Sequence, residues 1–127
     1  MKRYTTVGVS MLAGAVLGGA AVQTIRAQAK PPAYIIGEIV VKDQDGYSEK
    51  FLPARVKATA DGGGKYLVRS KTTPIHGAAP APRVIVVQFE NLDKLLAWTQ
   101  TPAFKDSQTI GDKYADIRIY AVEGVAP

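Results

Sequence analysis

Apolar and polar positions change period several times along the chain, and each change marks an element. Tyr34 to Val41 (YIIGEIVV) is a nearly continuous apolar, largely β-branched run that predicts a central strand, ended by Lys42-Asp43-Gln44-Asp45-Gly46. Tyr47, Phe51, Ala54 and Ala58 then fall on one helical face, in a helix that Pro53 must kink or restart. Asp43 and Asp45 suit the cap at its start. Gly62-Gly63-Gly64 ends the helix, because glycine enters left-handed backbone without steric cost. Lys65 to Arg69 predicts a second strand. Ser70 to Pro82, with three prolines and His76, predicts a long loop. Arg83 to Glu90 predicts a third strand. Asn91 then caps a helix whose buried stripe would be Leu92, Leu95, Leu96 and Thr99, and Thr101-Pro102 ends it and can start another turn. Ile117 to Val122 predicts the last strand.

The order is βαββαβ. Two right-handed crossovers joined this way give an α+β, ferredoxin-like fold, a four-stranded antiparallel sheet with both helices on one face. Period-two reading assigns Ile35, Ile39, Val41, Ile85, Val87, Phe89, Ile117 and Ile119 to the helix side, where Gly37 would let a helix approach closely. Tyr34, Ile36, Glu38, Val40, Val84, Val86, Gln88, Arg118, Tyr120 and Val122 then lie on the bare face. A soluble monomer rarely exposes so many apolar side chains together, so a second copy of the chain is expected to cover them.

Composition changes the picture mainly at the N-terminus of the 127-residue chain. Lys2 and Arg3 precede an uncharged stretch from Tyr4 to Ile25 that ends near Ala27-Gln28-Ala29, the layout of a cleaved secretory signal peptide. The rival is a membrane anchor, for which Gly14 and Gly18 have the spacing of a helix-dimerisation pair, but the stretch is rich in Gly and Ala and poor in large apolar side chains. Residues 1–29 are therefore expected to be removed, leaving residues 30–127 as a single domain, periplasmic or secreted from a bacterium, with no membrane attachment. The formal charge of +5 then falls to +2, from 13 basic and 11 acidic side chains, and no basic cluster interleaved with aromatics remains for nucleic acid. The absence of cysteine removes thiolate catalysis, disulfides and thiolate-bound metals, and a single histidine excludes a multi-His metal site. No metal and no cofactor is expected. Haem would need His76 as axial ligand, in an unsuitable Pro/Gly-rich setting.

Several segments resemble one family. Ala33-Tyr34-Ile35-Ile36-Gly37-Glu38-Ile39, Gly63-Gly64-Lys65-Tyr66-Leu67-Val68-Arg69, Ala97-Trp98-Thr99-Gln100-Thr101-Pro102-Ala103-Phe104 and Ala121-Val122-Glu123-Gly124-Val125 are similar, in that order, to domain-of-unknown-function family 1330. The resemblance implies a dimeric α/β barrel, in which two sheets pack face to face around a shared interior. Its superfamily includes cofactor-independent monooxygenases, muconolactone-type isomerases and haem-binding chlorite-decomposing enzymes, and fold alone does not choose among them. The chain departs from the family pattern at Thr101-Pro102-Ala103-Phe104, where Ser-Pro-Glu-Tyr is usual, and at Gly111, where relatives often carry arginine and here only Lys113 is nearby.

Glu38, in an otherwise apolar strand, is either a general base or substrate anchor, or the ion-pair partner of Arg118 with Gln88 beside it. Arg69, at a strand end, has the planar fork that grips carboxylates. His76 has the side-chain type for proton transfer near neutral pH but sits in an exposed-looking loop. Tyr34, Tyr66 and Tyr120 would present hydroxyls to a cavity or fill it, and Trp98 would pack in the core or stack on a ligand. Two functions are consistent with this set. One is an exported homodimeric protein binding a small, largely apolar molecule with an acidic or polar group in the barrel interior, through Tyr34, Glu38, Tyr66, Arg69, Gln88, Arg118 and Tyr120. The other is a cofactor-independent monooxygenase- or isomerase-type enzyme using Glu38 or His76 for proton transfer.

Overall fold

Four strands hydrogen-bond in the order β2-β3-β1-β4, every neighbouring pair antiparallel: β1 (Ala33–Val41), β2 (Lys65–Lys71), β3 (Arg83–Phe89) and β4 (Ala115–Glu123). The structure, a computed structural model, describes residues 30–126. The expected signal segment 1–29 and its cleavage site lie outside the described residues. Pro31–Ala126 form one compact unit. The order of elements and the sheet are those of the ferredoxin-like fold expected from the periodicity.

The first crossover is helical throughout but not uniform. Asp43 caps α1 (Gln44–Gly46) by accepting from the Gly46 N–H at 3.1 Å. A π-helical turn, Tyr47–Phe51, follows, in which Leu52 N–H bonds back to Tyr47 O, and α2 (Leu52–Asp61) continues from it with Pro53 in its first turn. Proline lacks an N–H, so the restart expected at Pro53 takes the form of this wider turn. The turn also shifts the helical phase. The buried series is Tyr47, Phe51, Arg55 and Thr59, with Ala58 beside it, whereas Ala54, expected on the buried stripe, is only half-buried.

The second crossover holds two helices. Asn91 Oδ1 accepts from Lys94 N–H at 2.9 Å to start α3 (Leu92–Thr99). Thr101 accepts from Phe104 N–H to start α4 (Pro102–Tyr114), a full helix rather than a further turn. In α3 Leu95 is buried and Leu92 packs against the core as expected, while Leu96 is 49% exposed and Trp98 takes the inner position instead. Trp98 wins the interior because its ring lies 5.1 Å from Phe89 and 4.7 Å from Phe104, centroid to centroid, and its indole N–H donates to buried Ala58 O at 2.9 Å.

Alternation along the sheet is as expected on β1, β3 and β4. Ile35, Ile39, Val87 and Phe89 are buried on the helix side, and Val40, Tyr120 and Val122 are exposed on the other. β4 pairs with β1 from Val41↔Ala115 to Ala33↔Glu123 and so runs longer than its apolar stretch. β2 differs. Its register passes from Tyr66↔Val87 to Val68↔Val86, leaving Leu67 as a bulge. The strand also extends to Lys71, which leaves a shorter loop whose base is closed by Thr72 N–H to Pro82 O at 3.1 Å and Thr72 Oγ1 to Ala81 O at 2.6 Å.

The core divides into two clusters. Ala33, Ile35, Val87, Phe89, Leu95, Trp98 and Phe104 form one, and Ile39, Tyr47, Phe51 and Ala115 the other. Gly37 lies between Ile35 and Ile39 on the inward face of β1, and Ile85, opposite it in register, packs against both clusters. A Cβ at Gly37 would come within 2.7 Å of Ile85 Cγ1, so the space left by the missing side chain is taken by a neighbouring strand rather than by a helix.

Candidate functional site

A cavity of about 300 Å³ opens between the sheet and the helices, where the two core clusters part. Its floor is made by Ile35, Gly37, Ile39, Ile85, Val87, Ile117 and Ile119, and its roof by Tyr47, Phe51, Leu52, Arg55, Thr59 and Trp98. Tyr66, Arg69, Ser70, Lys71, Arg83 and Val84 complete it on the β2–β3 side. The volume is at the small end of ligand pockets and suits roughly a dozen non-hydrogen atoms at interior packing density.

The bulge at Leu67 decides which side chains reach this space. Strict alternation puts residues three apart on opposite faces, but the extra residue lets Tyr66 and Arg69 both register against helix-side positions, Val87 and Ile85. Both line the cavity, and Arg69 lies over the Tyr66 ring at 5.1 Å.

Arg55 is the unusual group of the site. It is 8% exposed, and its guanidinium lies 4.7, 5.1 and 5.9 Å from the ring centroids of Phe104, Phe51 and Trp98. Its Nε–H donates to Ser107 Oγ at 2.9 Å and its Nη2 to Gln108 Oε1 at 2.6 Å, so α2 is tied to α4 by neutral acceptors. No carboxylate lies within ion-pair distance among the described residues, whose salt bridges are Lys42–Asp116, Lys57–Asp61, Lys94–Glu90 and Arg118–Glu38. Burial pushes its pKa below the ordinary value, with Tyr66, Asp112 and Tyr47 acting in the opposite direction. The guanidinium nevertheless stays protonated, as arginine does in proteins. Nη1 donates to no described group, and among the described residues no buried side-chain nitrogen or oxygen lacks a partner, so Nη1 faces accessible space. Arg55 is also a lining residue of the cavity.

The hydroxyls nearby belong to tyrosines. Burial raises the pKa of Tyr47, opposed by Arg83, whose guanidinium is 5.7 Å from the ring. Tyr66 OH is 3.4 Å from Thr59 Oγ1, which itself donates to Arg55 O at 2.7 Å. Arg83 also reaches Gln44 Oε1 at 3.3 Å. Arg55, Arg69, Lys71 and Arg83 thus surround the cavity with positive charge, and no Asp or Glu among the described residues lines it. No group of three or more His, Cys, Asp or Glu among the described residues is placed to hold a metal ion.

The residues singled out from the sequence are split between two faces. Tyr66 and Arg69 belong to the cavity. Tyr34, Glu38, Gln88, Arg118 and Tyr120 lie on the bare face, where Arg118 Nη2 donates to both Glu38 oxygens at 2.8 and 2.6 Å. The hydrogen bond from Arg118 chiefly, and that from Tyr120, hold the Glu38 carboxyl below its ordinary pKa. Glu38 and Arg118 also border a shallower hollow with Val40, Ala81 and Asp116. His76 is exposed in the 72–82 loop and lines neither space. Trp98 is core and forms one wall of the cavity. Arg55, Tyr47 and Arg83 line the cavity without having been singled out from the sequence as candidates for a ligand site. The available signal is the four-residue spacing of Tyr47, Phe51, Arg55 and Thr59, which places Arg55 on the same helical face as two aromatic residues.

Comparison with known proteins agrees with the architecture. Residues 32–125 match the family described as Domain of unknown function (DUF1330). No curated protein matches the sequence at a significant level. Among solved structures, a protein of unknown function from Rhodopseudomonas palustris superposes with a TM-score of 0.62 at 10% identity, covering 85% of this chain and 94% of that one. A hypothetical Arabidopsis thaliana protein gives a TM-score of 0.58 at 14% identity, over 78% of this chain and 93% of its own. A candidate antibiotic biosynthesis monooxygenase from Nitrosomonas europaea gives 0.51 at 12% identity, over 79% of this chain and 95% of its own. At these identities the likeness is one of fold.

Proposed function

This chain belongs to the DUF1330 family, and on that footing we propose that the cavity between its sheet and helices binds a small, largely apolar organic acid whose anionic group is held by Arg55. The observation that carries the reading is the buried guanidinium, without a carboxylate partner among the described residues, in the wall of a cavity whose floor is apolar and which no acidic side chain among the described residues lines. The hydrogen bonds to Ser107 and Gln108 and the three rings offset the cost of burying the guanidinium but supply no negative charge, so an anion entering the cavity would gain a charge-assisted contact in a desolvated setting. The site is then within one protomer, between sheet and helices, rather than in an interior shared by two sheets. The enzyme reading has less support, since neither Glu38 nor His76 lines the cavity and the proton-bearing groups that do are the phenols of Tyr47 and Tyr66.

The protein is further proposed to be exported, with cleavage after Ala29, and to form a homodimer through its bare sheet face. Val40, Tyr120 and Val122 stand there 42%, 44% and 42% exposed, and a stable dimer would bury about 1,600 Å² in total. Intact-mass measurement of protein from the native host tests the first, and a chain retaining Met1 refutes it. Light scattering tests the second: Val86→Asp, in the middle of the face, is expected to give monomer, and a wild-type monomer at micromolar concentration refutes it.

Binding is tested by calorimetric titration with small aromatic and aliphatic monocarboxylates and their methyl esters, together with native mass spectrometry of the freshly purified protein. At least one acid is expected to bind about tenfold or more tightly than its ester. Equal binding of acids and esters, or no binding of any, overturns the reading.

A further inference from the structure

Resting on that reading, the distribution of charge around the cavity identifies more of the ligand: we propose that it carries two acidic groups, one on Arg55 and a second on a rim formed by Arg69, Lys71 and Arg83. Three of the four arginines among the described residues line this one cavity. The fourth, Arg118, lies on the other face and has a carboxylate partner. None of the four cations of the cavity lies within ion-pair distance of a carboxylate among the described residues, and no acidic side chain lines the space.

The rim has a cost of its own. Lys71 and Arg83 are direct cross-strand partners, and Arg69 lies two residues before Lys71 on the same strand, facing Ile85. Like charges directly opposite one another destabilise a strand pair unless an anion sits between them. A ligand with one acidic group would neutralise Arg55 and leave this repulsion in place. The buried cation and the rim are bordered by apolar surface from Tyr47, Ile85 and Val87. That pattern of cation, apolar wall and cation fits a small organic dianion with an acidic group on either side of an apolar body, within a volume that holds roughly a dozen non-hydrogen atoms.

The test is titration of the purified protein with benzoate, the benzenedicarboxylate isomers and the monomethyl ester of each diacid, which keeps the size and removes one charge. At least one diacid is expected to bind about tenfold or more tightly than its own monoester at low salt, an advantage that narrows as salt screens the exposed rim. Combined Arg69→Gln, Lys71→Gln and Arg83→Gln should bring the diacid-to-monoester ratio near one, and Arg69→Gln alone should lower it part of the way. All three side chains reach solvent, and a melting curve of the combined variant verifies that it folds. If the monoesters bind and no diacid binds more tightly, the second acidic group is refuted while the single-acid reading stands. A ratio that survives in the combined variant also refutes the rim as a binding site. If neither monoacids nor diacids bind, the proposed function fails together with this inference.

Discussion

Replacing Arg55 by methionine removes the charge and keeps most of the length of the side chain. In the wild type the buried guanidinium forfeits several kcal/mol of hydration without a carboxylate to offset it. It regains two hydrogen bonds from a charged donor, to Ser107 and Gln108, each about 1.5–3 kcal/mol. Its approach to the rings of Phe51, Trp98 and Phe104 adds about 1–2 kcal/mol. These contributions nearly cancel. Methionine retains contact with the rings through its sulfur, and the Ser107 hydroxyl keeps its bond to Phe104 O at 2.8 Å. Arg55→Met without ligand is therefore expected to match the wild type within about 1 kcal/mol, equivalent to about 4–8 °C in Tm for a domain of this size. Arg55→Ala, which also leaves a void among the rings, is expected to cost about 2–4 kcal/mol. Binding behaves differently, because a contact from a desolvated cation to an anion is worth about 2–5 kcal/mol, or about 30- to 5,000-fold in Kd. Thermal denaturation and calorimetry with the best-binding monocarboxylate measure the two effects. If Arg55→Met melts more than about 10 °C below wild type and still binds the acid, Arg55 is a clamp between α2 and α4 and not an anion holder.

Gly37→Ala would place a Cβ 2.7 Å from Ile85 Cγ1 and 2.9 Å from its Cδ1, which Ile85 can relieve by turning into the cavity. A stability loss of about 1–3 kcal/mol with about tenfold weaker acid binding is expected, and unchanged calorimetric affinity would argue that the cavity is not the site. Glu38 has a folded-state pKa below its ordinary 4.5, so the stability it contributes is present above that pH and is lost as pH falls through the folded value. Melts of wild type and Glu38→Gln across the acid range should converge well below pH 4.5, and a difference that grows with acidification would contradict the assignment. His76→Ala should change neither Tm nor acid affinity by more than about 0.5 kcal/mol, and a large loss of binding would return the loop to the site.

The sequence by itself determined most of the fold, because the signals were local. Alternation in Tyr34 to Val41 and Arg83 to Phe89 follows from the pleat, and the caps at Asp43, Asn91 and Thr101 from the N–H groups that every helix start leaves open. The bare face followed from the same alternation. Tertiary structure decided which residues line the cavity, through two single-residue irregularities that no local pattern announces. The π-turn at Tyr47–Phe51 changes the helical phase so that Arg55, not Ala54, is buried, a position stabilised by three rings and by Ser107 and Gln108 from a helix some 50 residues away in sequence. The bulge at Leu67 brings Tyr66 and Arg69 to the helix side, while Glu38 and Arg118, which follow strict alternation, pair with each other on the opposite face. In both places one extra residue changes the direction of every side chain after it. Whether the chain accepts that residue depends on what the neighbouring strand and helix offer in return, which only the assembled packing supplies.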